Sequence, residues 1–208
     1  YCRRWRNLDN SIMAITINGS GTVTGISVGG LPDGVVDAGT LAAGSAGLKL
    51  NYKTTLYTSI STAISSSTGN WQAGPFSVTI TPSATSSKIL VLCHVTGGVS
   101  VSGGEGPSFQ VQRKIGSGSF SASDGIGDAT GTSMRGTVGG LYDDITTSET
   151  LTYSAQFVDA PATTSAVEYK PYFHVENGDL LINRAGNNDS PEKVVGTSSI
   201  TVIEVGAG

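Results

Sequence analysis

The stretch that decides the fold is Lys88-Ile89-Leu90-Val91-Leu92-Cys93-His94-Val95. Apolar residues occupy both alternate sets of positions, and the run is short. A strand that is covered on both faces has apolar residues at both sets of positions, whereas a half-exposed strand alternates between apolar and polar residues. We therefore expect residues 88–95 to form the central strand of a sheet.

The segments on either side alternate with the two-residue period of half-buried strands. In residues 76–81 the side chains of Phe76, Val78 and Ile80 share one face. Further strands are predicted at 108–113, 151–157, 167–175, 180–183 and 199–204. Gly, Ser, Asn and Pro separate these runs, and no apolar helical period lasts three turns. The sequence thus predicts an all-β protein, an antiparallel jelly-roll-like β-sandwich over residues 51–208.

Residues 13–50 differ in composition and are interpreted as an extended, glycine-rich N-terminal arm. Nine of the 29 residues from 19 to 47 are glycine, and no aromatic residue is present to build a core. Such an arm is suited to docking on another protein by adding strands or filling grooves. The predicted docking residues are the spaced apolar ones: Ile15, Ile17, Val23, Ile26, Val28 and Leu31. The alternative interpretation is a disordered linker.

Residues 1–12 form a separate leader that precedes Met13-Ala14, a pair typical of a bacterial start. Three origins stay open for this leader: upstream sequence, a remnant of expression, and a native extension. Its Arg3-Arg4-Trp5-Arg6 cluster is interpreted as part of a solvated terminus, with an anchor for an acidic partner as the alternative.

The composition excludes several classes of function. Only 13% of the 208 residues are charged, about half the usual share, and the formal net charge is −4. A nucleic-acid binder would carry a basic excess, so we expect no nucleic-acid partner. No apolar run approaches the length of a membrane span, so no membrane insertion is expected. The two cysteines give no disulfide framework, and Cys93 is predicted to be a core thiol.

The residues that carry chemistry do not form a recognisable catalytic set. His94 lies in the apolar run and is predicted to be a hydrogen-bonded core or interface residue, while His174 is predicted to be exposed. Asp143 and Asp144 are chain neighbours, and Asp124 and Asp128 have the glycine spacing of a loop. We expect no enzymatic activity, no cofactor, and no catalytic or metal site.

Two glycine-rich and serine-rich loops, 102–107 and 116–142, are candidates for recognition because loops on a rigid sandwich commonly bind partners. The candidate anchor residues in these loops are Phe120, Met134, Arg135 and Tyr142. Plain solvent-exposed connections are the alternative. Trp71 is interpreted as capping the core, with a sugar-binding platform as the alternative.

Four stretches resemble a recurring β-domain of tailed-phage fibre and virion appendage proteins: FSVTITPSATSSKILVLCHV (76–95), VDAPATTSAVEYKPYF (158–173), LLINRAG (180–186) and SSITVIEV (198–205). The stretch MAITINGSGTVTGISVGGLPDGVVDAGTLAA (13–43) is similar to the N-terminal region of such proteins, especially from aquatic phages such as cyanophages. The resemblance implies a structural virion component that is commonly trimeric. The resemblance implies no catalytic residue in this chain.

These observations lead to one expected function and two alternatives. The expected function is a homotrimeric tail fibre or receptor-binding appendage, assembled in the bacterial cytoplasm and released in the virion by lysis. Its expected partners are two further copies of itself, another virion protein bound through the arm, and a host surface glycan or receptor. The first alternative is a capsid decoration (cement) or head-fibre protein. The second is a carbohydrate-binding module.

Overall fold

The computed structural model describes residues 16–17, 23–24, 50–60, 63–65, 70–102, 106–140, 145–187, 191 and 193–206. These residues form strands, turns and irregular segments, and they contain no helix. Every strand pair is antiparallel, so the prediction of an all-β, antiparallel protein is confirmed. The chain divides into two compact units, Tyr1–Lys49 and Leu50–Gly208.

The described part of the first unit is a short antiparallel pair. Strand β1 (Thr16–Ile17) pairs with strand β2 (Val23–Thr24), and Ile17 lies opposite Val23 in the register.

The second unit contains two sheets, whose strands are β3 (Tyr52–Tyr57), β4 (Ala63–Ser65), β5 (Gln72–Ala73), β6 (Val78–Ile80), β7 (Lys88–Val99), β8 (Ser108–Ile115), β9 (Ser121–Ala122), β10 (Leu151–Asp159), β11 (Val167–His174), β12 (Asp179–Ile182) and β13 (Ser198–Val205). The first sheet has the order β3-β13-β7-β12-β4, and β10 pairs with β7 on its other side. The second sheet has the order β5-β11-β8-β9, and β6 also pairs with β11. Strand β7 is central, as its apolar sequence predicts.

The core lies between the inward faces of the two sheets. Strand β7 contributes Ile89, Val91, Cys93 and Val95, all buried. The largest fully buried side chains come from the second sheet: Tyr169, Phe109 and Phe173. Cys93 is a free thiol, and burial raises its pKa to about 12, as expected of a cysteine that acts as a small core residue.

One expectation for the central strand is met on one of its faces only. The apolar run predicts cover on both faces of β7, but Leu90, Leu92 and His94 point away from the core and are only partly buried. The residues of an apolar outward face cannot be told from core residues by pattern alone, because periodicity does not show what covers them.

Glu204 joins the end of β13 to two neighbouring segments. One carboxylate oxygen accepts hydrogen bonds from the Ser83 N–H (2.7 Å), the Ser83 hydroxyl (2.6 Å) and the Ser87 hydroxyl (2.5 Å). The other accepts one from the Asn51 amide at 2.7 Å. Burial raises the pKa of Glu204, but the hydrogen bonds outweigh it and lower the pKa to about 2.

The hydrogen bonds of Glu204 are expected to make the stability of the fold sensitive to acid. Because the pKa is lowered in the folded state, the network stabilises the fold above the ordinary glutamate value of 4.5, and this contribution disappears as the pH falls towards 2. We expect Glu204→Gln to cost about 1 kcal/mol at pH 7, a figure discounted for solvent exposure, and much less near pH 2. Urea unfolding at several pH values measures this. The exposed Glu176→Gln is the matched control, and an equal Glu204→Gln cost at pH 7 and pH 2 would contradict the account.

Candidate interaction surfaces

The outward face of the first sheet carries no charge across four adjacent strands. Strand registers place its side chains in three rows that run from β10 through β7 and β13 to β3. We call this surface the neutral face, and its residues are Val158, Leu90, Ile203 and Tyr52 in the first row, Gln156, Leu92, Thr201 and Thr54 in the second, and Ser154, His94, Ser199 and Leu56 in the third. Lys88 follows at its end, beside Val205.

Large apolar side chains of the neutral face are open to solvent. Leu56 is 64% exposed, Tyr52 56% and Val158 54%. An open groove of ≈ 430 Å³ crosses the middle of the face, lined by Leu92, Cys93, His94, Ser154, Ala155, Gln156, Ser199 and Thr201. The short side chains of Ser154 and Ser199, on either side of His94, border this depression. The face thus offers exposed apolar side chains and a cavity that a protruding side chain could fill.

His94 takes part in a hydrogen-bonded network inside the groove. Its Nδ1 lies 3.2 Å from the Ser154 hydroxyl, and its Nε2 lies 3.3 Å from the Thr96 hydroxyl. A serine beside a histidine is the beginning of a nucleophile-and-base pair, but such pairs also need a carboxylate or amide to orient the ring. In this protein the second ring nitrogen, Nε2, hydrogen-bonds to the Thr96 hydroxyl and not to a carboxylate or amide. His94 is therefore hydrogen-bonded and half-exposed, which places it on the surface and not in the core.

The outward face of the second sheet is different, because aromatic and charged side chains meet there. The Phe120 ring lies 5.5 Å from the Tyr172 ring, and the ammonium groups of Lys114 and Lys170 lie 5.0 and 5.3 Å from the Phe120 ring centroid. Lys114 also forms an ion pair with Glu168 at 2.5 Å, which lowers the pKa of that carboxylate. We call these five residues the aromatic–lysine patch.

Trp71 and His174 continue this face along β11. Their rings make an edge contact, with centroids 6.2 Å apart. Trp71 comes directly before β5, whose Ala73 lies opposite Tyr172 in the register. Both rings are partly exposed. Trp71 therefore sits on the outward side of the second sheet with its ring partly exposed.

The predicted recognition residues have different environments. Phe120 lies in the aromatic–lysine patch, and Met134 is 37% exposed. Arg135 is held by the loop, because its Nε donates to the Gly127 carbonyl at 2.6 Å and its carbonyl accepts from Gln110 at 2.6 Å. Tyr142 lies outside the described residues, as do the arm residues Ile15, Ile26, Val28 and Leu31.

Sequence reasoning missed the partners of Phe120. The alternation of residues 167–175 already puts Tyr172 on the outward side of its strand, as it does Lys170. Nothing in the sequence, however, indicates that Phe120 of a distant loop contacts both of them.

The aspartates singled out in the sequence have different environments. Asp124 accepts hydrogen bonds from Arg113 at 3.2 Å and from the Ala160 N–H at 2.9 Å, while Asp128 is exposed. Asp143 and Asp144 are not among the described residues. Within the described ranges, no three acidic, histidine or cysteine side chains are grouped as metal ligands would be. The same part of the chain holds no helix that could span a membrane.

Comparison with known proteins gives no assignment for these surfaces. No protein-family model and no curated protein sequence matches the chain.

Proposed function

We propose that this chain is a non-enzymatic structural protein of a tailed-phage virion, forming a homotrimeric tail fibre or receptor-binding appendage. The resemblance of residues 76–95, 158–173, 180–186 and 198–205 to virion β-domains supports this proposal. The strand orders β3-β13-β7-β10 and β6-β11-β8-β9 also support a jelly-roll-like sandwich. Strands that follow one another, such as β6, β7 and β8, alternate between the two sheets, as they do in jelly rolls.

The neutral face is the observation that carries the homotrimer. Half of its twelve side chains are apolar, and one row (Val158, Leu90, Ile203 and Tyr52) is apolar throughout. An exposed apolar strip bordered by polar side chains is a common site of association. Strand β10 borders this face and, among the described residues, pairs only with β7. Along its nine residues, the outer edge has no backbone partner in the part of the chain that the structure describes, and native proteins usually cover such an edge. Self-association covers both surfaces at once.

A contact between these two different surfaces of neighbouring copies is compatible with a closed ring of three. The β10 edge and the neutral face are not equivalent, so a contact that joins the edge of one copy to the face of the next is heterologous. Heterologous contacts close into cyclic rings when the rotation permits. Three copies agree with the number that the sequence resemblance implies.

The arm completes the proposed role. We assign attachment to another virion protein to Ile15, Ile17, Val23, Ile26, Val28 and Leu31. The antiparallel pairing of Ile17 with Val23 supports an arm that can add strands to a partner sheet. The second unit would then project from the particle.

Electron cryo-microscopy of the assembled particle tests this function. We expect the chain on a three-fold appendage of the tail, in a few dozen copies or fewer. Hundreds of copies at local three-fold positions of the shell would replace the tail assignment with capsid decoration. Absence of the chain from purified particles would overturn the virion role altogether.

A further inference from the structure

The aromatic–lysine patch holds two cations in a fixed position on one face. Both ammonium groups lie within 5.3 Å of the Phe120 ring centroid. An aromatic ring attracts cations through its negative face and thereby restricts where the flexible lysine side chains go. Phe120 is itself supported by contact with Tyr172. An anion arriving at this face therefore meets the Lys170 ammonium already placed beside the ring, next to the Lys114–Glu168 ion pair.

The charge of the patch is positive in an otherwise acidic protein. Glu168 neutralises Lys114 through their ion pair, whereas Lys170 forms no ion pair within the described part of the chain. One positive charge thus remains in excess, although the whole chain carries a formal charge of −4. An anionic partner is favoured at this face and disfavoured over the acidic remainder of the surface.

Trp71 and His174 add a ring surface and a polar side chain beside the cations. His174 is two residues from Tyr172 along β11, on the same side of the strand and at a separation of roughly 7 Å. A pyranose offers an apolar ring face for Trp71 and hydroxyls for the polar side chains.

We propose that this surface binds an acidic saccharide, with a sugar carboxylate at Lys170 and the adjoining sugar ring against Trp71. This inference rests on the proposed attachment role, for which it names the ligand class. It adds Lys170 and Tyr172 to the recognition residues that the sequence indicates, and it favours the alternative interpretation of Trp71 as a sugar-binding residue. The position of the chain in the virion does not depend on sugar binding. If the chain does not bind the sugar, electron cryo-microscopy still tests that position.

Calorimetric titration of the full chain with tri-galacturonic acid tests the proposal. We expect saturable binding that weakens at high salt, and much weaker binding of the neutral methyl ester of the same trisaccharide. Lys170→Gln is expected to weaken binding of the acid about tenfold, the usual effect of losing a charge-assisted hydrogen bond. Phe120→Leu keeps an apolar side chain but removes the ring that gathers the lysines, and a loss of about threefold is expected.

Controls separate specific recognition from general charge attraction. Lys53→Gln removes the same charge from an exposed residue of the other sheet and is expected to leave the affinity unchanged. Thermal unfolding of each variant checks that the fold is intact. Each of four results would overturn the proposal. These are equal binding of the acid and its ester, equal binding of poly-aspartate, a loss of affinity in Lys53→Gln equal to that in Lys170→Gln, and no binding of the acid.

Discussion

Replacing Asp159 by alanine is expected to lower the free energy of unfolding by about 3 kcal/mol, because breaking a buried ion pair leaves its partners uncompensated. Asp159 is fully buried at the end of β10. Its carboxylate forms an ion pair with Arg113 and accepts hydrogen bonds from the Tyr169 hydroxyl at 2.6 Å and from the Asp124 N–H at 2.8 Å. The alanine variant loses all three contacts.

Chemical denaturation measures this loss, and two further variants define its origin. Asp128→Ala removes a carboxylate from the exposed loop and is expected to change stability by no more than about 0.5 kcal/mol. Asp159→Asn keeps the shape and some hydrogen bonds and should fall between the two. The Tyr169 hydroxyl reports the same network, because burial and its bond to Asp159 raise its pKa. Equal stability of Asp159→Ala and the wild type would show that the contacts of Asp159 contribute nothing to the stability of the fold.

Leu92→Asp is expected to abolish self-association, with the association weakened by at least about a hundredfold. Leu92 lies in the centre of the neutral face and lines its groove. A carboxylate buried there between copies would be desolvated without a partner, at a cost of several kcal/mol. The single chain should still fold, because the Leu92 side chain points away from the core and stays partly exposed in it. Size-exclusion chromatography with light scattering measures the mass.

Val194→Asp is the matched control for this prediction. Val194 is 78% exposed and lies outside the neutral face, so the same substitution there should leave the mass unchanged. Circular dichroism of both variants checks for an intact β-domain. A Leu92→Asp variant that keeps the wild-type mass would exclude the neutral face as the contact between copies.

Local sequence patterns predict much of the fold for a physical reason. Side chains alternate across a strand, so the pattern assigns Val78 and Ile80 to one face, and both are buried. The long apolar run at 88–95 indicates a central strand, and β7 does lie between β13 and β10. The same run predicts the wrong environment for the outward side of Leu92, since hydrophobicity alone does not distinguish burial in a core from exposure at a surface that associates.

Contacts between the sheets and loops could not be predicted. Asp159 and Arg113 are 46 positions apart, and their meeting depends on how the end of β10 faces β8 of the opposite sheet. The aromatic–lysine patch depends on the register that sets Glu168 beside Lys114, together with the path of the loop that carries Phe120. Neither the sheet packing nor the loop path leaves a local signal in the sequence.

Sedimentation equilibrium of the purified wild-type chain tests the central claim most directly. One chain has a mass of 21.2 kDa, and the account predicts a particle of three such masses that persists on dilution into the low micromolar range. A single-chain mass at all concentrations would contradict it, because the neutral face and the β10 edge would then remain open to water.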